Sequence, residues 1–218
     1  GLTVTSMYSN TDIHDIPNED VTWTFNPAAP NSTSITSVEV TATYEGISDS
    51  KVINVTVTEK VSTVVISEVY GGGGNSGAPY KNDFVELYNN TDAAIDLTGW
   101  AIHYASTAGT FNANTELTGS ILPRSFYLVQ WGAGSGTDNI LLPTADDAGS
   151  ISAGTNNFKV ALTNNTNAPT SPSDSNVIDF VGAGTANASE GGQTATSPSN
   201  THSIARAIVD GVAVDTDN

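Results

Sequence analysis

The chain has no cysteine, which excludes disulfides and thiolate chemistry and leaves packing and hydrogen bonding to hold the fold. Basic residues are scarce: 6 Lys and Arg stand against 23 Asp and Glu, for a formal net charge of −17. Residues 1–60 hold 8 acids and 2 bases, and residues 61–218 hold 15 acids and 4 bases, so the imbalance runs through the whole length. A nucleic acid held by its phosphates needs a basic stripe, and none is present; an anionic membrane surface is disfavoured on the same ground. Long apolar runs are also missing. A stretch such as VSTVVISEVY falls far short of the roughly 20 residues that span a bilayer. Helical periodicity is almost absent, and no signal peptide is visible. The chain starts at Gly1 inside a strand-like pattern, as expected of a piece of a longer protein.

What the sequence does contain is alternation. Apolar and β-branched residues alternate with polar ones over short runs, broken by Asn, Asp, Gly, Ser and Pro, which is the pattern of an all-β sandwich. Two domains are expected, 1–60 and 61–218, passing almost directly into one another at Glu59-Lys60-Val61. In the first, strands are predicted over 2–8, 20–26, 37–46 and 50–60, the last two joined as a hairpin with Glu45-Gly46 in its turn region. Trp23 and Phe25 share one face of the second of these strands, as expected of a core anchor. In the second domain, strands are predicted over 63–70, 83–90, 100–106, 125–132, 158–164, 177–182 and 203–209. The long loops between them cover 71–82, 107–120, 133–157, 165–176 and 183–202, and loops of this length often carry function.

Several segments in order resemble the lamin tail domain, an immunoglobulin-like β-sandwich. They are ISEVYGGGGNSGAPYKNDFVELYN, DLTGWAIHYAS, LPRSFYLVQWG, FKVALTN, VIDFVGAGTAN and NTHSIARAIVDGVAVDTDN. The resemblance covers nearly all of residues 63–218, and it departs from the family where the chain stops at Asn218 instead of continuing into a last strand. Residues 1–60, through VTATYEGISDSKVINVTV, resemble the bacterial immunoglobulin-like domains repeated along surface proteins. Together these resemblances imply two immunoglobulin-like sandwiches in tandem. They also imply a mostly non-catalytic family whose bacterial members sit beside exported nucleases and phosphoesterases or within surface proteins, with no catalytic residue to carry over.

The residues themselves offer few chemical constellations. Gly71-Gly72-Gly73-Gly74-Asn75-Ser76-Gly77 joins two strands with no helix after it, so a flexible or tightly packed connection fits better than a phosphate cradle. By strand alternation, Glu68 is expected to share a face with Ile66 and Tyr70, and Glu86 with Phe84 and Tyr88. Carboxylates on such faces need a partner, and Arg206 is expected to pair with Glu86 or Glu68 as a structural clamp. A paired-carboxylate hydrolase is the alternative. Calcium is the expected ion if one is bound, with Asp146, Asp147, Asp215 and Asp217 as first candidates and Asp12, Asp15, Glu19 and Asp20 as a further cluster. None of these has EF-hand spacing. His14, His103 and His202 lack metal-like spacing, and no Gly-x-Ser-x-Gly elbow appears. Tyr80, Phe111 or Trp131 would stack on a sugar if exposed, with core packing the better reading of Trp131.

These readings converge on a non-catalytic binding or spacer module of a secreted or cell-surface bacterial protein, expected to be extracellular and monomeric, with an unidentified surface ligand. The alternatives are an accessory fragment of an exported nuclease or phosphoesterase whose catalytic domain lies outside this chain, and a calcium- or carbohydrate-dependent adhesion module.

Overall fold

A computed structural model describes residues 4–7, 13–16, 22–26, 35–56, 62–137 and 139–214, with side chains at residues 22, 40–50, 62–137 and 139–214. The chain divides into two compact units, Gly1–Lys60 and Val61–Asn218. Among the described residues the regular elements are strands, apart from one short 3-10 turn at Glu190–Gly192. The chain is all-β, with immunoglobulin-like sandwich units in tandem.

In the first unit β1 (Val4–Met7) pairs antiparallel with β2 (Ile13–Ile16). A second sheet runs β3 (Thr22–Asn26), β4 (Ile35–Tyr44), β5 (Ile47–Thr56), each antiparallel to the next. Trp23 lies opposite Ala42, and Phe25 opposite the buried Val40. Tyr44 pairs with Ile47, so the β4–β5 connection is a two-residue turn. Both turn residues have positive φ, 48° at Glu45 and 78° at Gly46. That is the type I′ geometry that matches the right-handed twist of a hairpin. Glycine adopts it freely; glutamate pays for its Cβ there.

The second unit stacks two sheets. One has the order β13-β12-β7-β6-β16, from β6 (Val64–Tyr70), β7 (Asn82–Asn89), β12 (Phe126–Ala133), β13 (Asp147–Ala148) and β16 (Ile204–Ala205). The other has the order β10-β9-β14-β15, from β9 (Ala101–Ser106), β10 (Ala113–Glu116), β14 (Phe158–Thr163) and β15 (Val177–Ala183). Two small ladders complete it: β8 (Ile95–Asp96) with β11 (Ser120–Ile121), and β17 (Ile208–Val209) with β18 (Val212–Ala213). Every second residue points into the space between the large sheets. Val85 and Leu87 of β7, Val129 and Trp131 of β12, Ile102 of β9 and Phe158, Val160 and Leu162 of β14 meet in one buried cluster. Burying each such side chain contributes about 1.5–3 kcal/mol. Trp131 is 1% exposed, and its indole N–H donates to Thr115 Oγ1 at 3.0 Å, so the one polar atom it brings into the core is satisfied.

Alternation breaks once in β6. Ile66 pairs with Leu87 and Glu68 with Glu86, leaving Ser67 as the extra residue of a β-bulge. Ile66 and Val69 therefore both enter the core, and Glu68 turns away from Ile66 onto the outer face beside Glu86. The expected sharing of a face with Ile66 fails because one inserted residue reverses the parity of all that follow. A similar irregularity in β15, between the pairs Leu162–Asp179 and Thr163–Val177, brings Asp179 inward.

The Gly71–Gly74 run is packed, not loose. A Cβ built on Gly73 would lie 2.2 Å from the carbonyl carbon of Asn82, and one on Gly74 (φ 63°) 2.4 Å from Gly134 Cα. The loop threads between backbone segments that only glycine can approach so closely.

Replacing Glu45 by Asn, which tolerates the left-handed region, is expected to stabilise the first unit by about 0.5–1 kcal/mol. Thermal melts of the two proteins check this; a lower melting temperature in the variant would show that the turn is not under strain.

Candidate functional site

The strongest polar cluster lies where the edges of the two sheets meet. Asp179 is 0% exposed. Its Oδ2 accepts from the backbone N–H of Ile66 at 2.6 Å, and its Oδ1 accepts from its neighbour Phe180 N–H at 2.8 Å and from Arg206 Nη2 at 2.6 Å. Arg206 follows β16, and its own N–H donates to Ser67 O at 2.8 Å while its Nε donates to Ile66 O at 3.1 Å. One side-chain pair thus gathers β15 of one sheet and β6 and β16 of the other. Beside it runs a cleft of about 180 Å3, lined among others by Phe180, Glu190, Gln193, Thr194, Ile204 and Arg206.

This corrects the expected ion pair. Arg206 is a clamp, but its carboxylate partner is Asp179, not Glu86 or Glu68. The two glutamates lie on the outer face, and the bulge that puts Glu68 there separates it from the arginine. Ser67 Oγ donates to Glu86 Oε1 at 3.0 Å. Burial pushes the Glu86 carboxyl up; the Ser67 hydrogen bond opposes this and the adjacent Glu68 charge adds to it.

Asp146 and Asp147, expected among calcium ligands, accept hydrogen bonds that hold strands. Asp146 Oδ2 accepts from Leu128 N–H at 2.8 Å. Asp147 Oδ2 accepts from Thr118 N–H at 2.8 Å and from Thr118 Oγ1 and Tyr127 Oη, each at 3.2 Å. Burial and the Asp147 charge push the Tyr127 phenol up to about 12. Among the described residues no group of three His, Asp or Glu side chains converges as a metal site. Asp215, Asp217, Asp12, Glu19 and Asp20 lie outside the described residues, and the side chains of His14 and Asp15 lie outside them too.

His202 Nδ1 lies 2.8 Å from Thr201 Oγ1 at the surface. His103 is 1% exposed, with Nε2 3.0 Å from Thr163 Oγ1. Of the aromatics considered for sugar stacking, Trp131 is core. Phe111 is half-buried on the outer face of the four-stranded sheet, edge-on to His103 and Phe180. Tyr80 is 36% exposed, edge-on to Tyr70 and Phe84.

Two buried polar groups were not legible as site residues. Asp83 accepts from Gly73 N–H and Ala153 N–H, each at 2.8 Å, and burial pushes its carboxyl up despite those bonds. Lys159 donates to Gly109 O and Asn187 Oδ1, each at 2.7 Å, and burial pushes its amine down. Like Asp179, each is a charged residue inside an apolar run: DFVEL, FKVAL and VIDFV. That interruption is the signal that marks them.

The sequence profile of the lamin tail domain matches residues 58–185. The chain belongs to the lamin tail domain family. The match spans β6 through β15 and ends before β16 and Arg206, so the clasp joins the profile-matched sandwich to a segment beyond it. Among solved structures, the chain is similar to a DUF4876 family protein from Bacteroides thetaiotaomicron VPI-5482, at 13% identity and a TM-score of 0.36, over 75% of this chain and 72% of that one. No curated protein matches.

Removing one member of a buried pair leaves the other uncompensated. Asp179→Ala is therefore expected to destabilise the second unit by about 3–5 kcal/mol, with Asp179→Ala/Arg206→Met less damaging than Asp179→Ala alone. Denaturant unfolding of the three proteins checks the order; equal losses in both variants would show that the ion pair is not what holds the edge.

Burial lowers the His103 pKa, so the fold holds the ring neutral, whereas the unfolded chain protonates it near 6.5. The unfolded state binds more protons below that value, so stability is full above it and falls as pH drops through the window below. The raised carboxyls of Asp83 and Glu86 act in the opposite sense, losing stability as pH rises above their ordinary values. They are common to wild type and a His103→Gln variant and cancel in the comparison. The melting-temperature gap between the two proteins is expected to narrow from about pH 8 to about pH 5. A constant gap would mean that His103 does not titrate differently on folding.

Proposed function

We propose that this chain is a non-catalytic binding or spacer unit of a secreted or cell-surface multidomain bacterial protein, positioning a neighbouring catalytic or anchoring domain. The observation that carries the reading is where its charged groups are engaged. All four basic side chains of the second unit are engaged by partners of that unit, three of them part-buried and Arg124 at the surface. Lys81 donates to Gly136 O, Arg124 pairs with Asp92 at 2.8 Å, Lys159 donates to Gly109 O and Asn187, and Arg206 pairs with Asp179. Asp83, Asp146 and Asp147 accept hydrogen bonds that fix strands and loops. Groups so engaged are poor candidates for proton transfer or substrate binding, which need a partner left open. The same engagement argues against a phosphate-binding stripe, since a duplex must be met by several free cations. No described helix is long and apolar enough to cross a membrane.

A second reading, an accessory piece of an exported nuclease or phosphoesterase, shares this picture and differs only in its neighbours. In either case the chain by itself is expected to turn over neither bis-p-nitrophenyl phosphate nor single-stranded DNA, with or without millimolar calcium or magnesium, and to leave DNA mobility unchanged at low salt. Turnover that follows the protein through purification and disappears in Glu68→Gln/Glu86→Gln would overturn the non-catalytic reading in favour of the paired carboxylates.

A further inference from the structure

The four-stranded sheet carries a second cavity on the face turned away from the core. It measures about 190 Å3, with His103, Phe111, Asn112 and Asn114 on one side and Thr166 and Ala168 on the other. His103 forms its floor, since Ile102 and the core lie on the opposite face of β9. Asn114 is the direct cross-strand partner of His103, and Asn112, just before β10, lines the same cavity. Both amides are exposed and accessible from solvent.

The wall is held in place beforehand. The Phe111 ring stands edge-on to His103 and Phe180, with centroid distances of 6.3 and 5.6 Å, and the Lys159 ammonium lies 5.7 Å from its centre. Lys159 is 6% exposed and is fixed in turn by Gly109 O and Asn187 Oδ1.

The lining chemistry narrows the occupant. The polar groups are two carboxamides, a hydroxyl and an imidazole, with Phe111 and Ala168 as apolar surface. No Asp, Glu, Lys or Arg lines the cavity, in a chain carrying 23 acids. A neutral lining offers a charged ligand no compensation for its lost hydration. Carboxamides both donate and accept, which suits neighbouring hydroxyls that do the same. The volume lies below the roughly 300–1,000 Å3 of sites for drug-sized ligands, which limits the occupant to about one ring.

We propose that this cavity binds a single ring of a neutral sugar, with the Asn112 and Asn114 amides taking its hydroxyls and Phe111 facing its C–H surface. The proposal rests on the reading of the chain as a non-catalytic binding unit and gives that unit a ligand class.

The test titrates the whole chain with the methyl glycosides of glucose, galactose, mannose and N-acetylglucosamine, following the three histidine imidazole signals by NMR. These are assigned through His14→Gln and His202→Gln. At least one glycoside is expected to shift the His103 signal saturably while His14 and His202 stay still. Asn112→Ala/Asn114→Ala, at two exposed positions, is expected to keep the melting temperature and to weaken binding about tenfold or more, the loss that follows from removing one or two neutral hydrogen bonds. If no glycoside moves His103 at tens of millimolar, or if the double variant binds as well as wild type, the sugar site is refuted and the non-catalytic reading stands. Release of free sugar from the glycosides would instead refute that reading.

Discussion

Asp179 carries a carboxylate to a place where none of it touches water, and the fold around it is arranged so that this is tolerable. A lone buried charge costs several kcal/mol even after relaxation. Here the oxygens are met by Ile66 N–H, Phe180 N–H and the Arg206 guanidinium. The arrangement needs two irregularities. The bulge at Ser67 reverses the parity of β6, and the register break in β15 turns Asp179 toward it. It also needs β16 in place, because Arg206 directly follows that short strand and is anchored to Ser67 O through its own backbone. Strand pairing, bulge and ion pair depend on one another, so the cluster acts as a single constraint on the meeting edges of the sheets.

The same logic runs through the second unit. Asp83 joins the glycine loop and the Ala153 segment to β7; Asp147 joins β13 to the turn at Thr118; Asn89 donates to the carbonyls of Ala93 and Leu122. Long loops in a sandwich leave many backbone groups without a ladder partner, and short polar side chains supply the missing partners. This accounts for much of the Asn, Asp and Thr content of the unit. It also leaves a surface that is anionic by default, since each basic side chain of this unit is already engaged by a carbonyl, an amide or a carboxylate of the same unit. Against that background the neutral, amide-lined cavity over His103 is chemically distinct.

Much of the architecture was legible as period-two alternation. The predicted strands 63–70, 83–90, 100–106, 125–132, 158–164 and 177–182 correspond closely to β6, β7, β9, β12, β14 and β15, because each buries one face and the alternation records which. The Glu45-Gly46 turn was legible from its glycine. The two-residue strands β8, β11 and β13 were not, since a pair of residues has no period. Ala113–Glu116 sat inside what reads as a loop, because its sequence ANTE alternates only weakly. The Arg206 partner was misread for a definite reason. Alternation assigns faces correctly until a bulge intervenes, and Ser67 carries no local mark that distinguishes a bulged serine from a regular one.

The sequence alone determined fold class, the positions of the principal strands, the acidic surface and the lack of any thiol or basic stripe, since each follows from local composition and from which residues avoid water. Only the tertiary structure decided which carboxylate meets Arg206, that the glycines are there for close packing, and that His103, Phe111 and Asn114 share a cavity. Those outcomes rest on contacts between residues far apart along the chain, and local pattern cannot encode register shifts of one residue. A single inserted serine was enough to separate Glu68 from the arginine and leave Asp179 in its place.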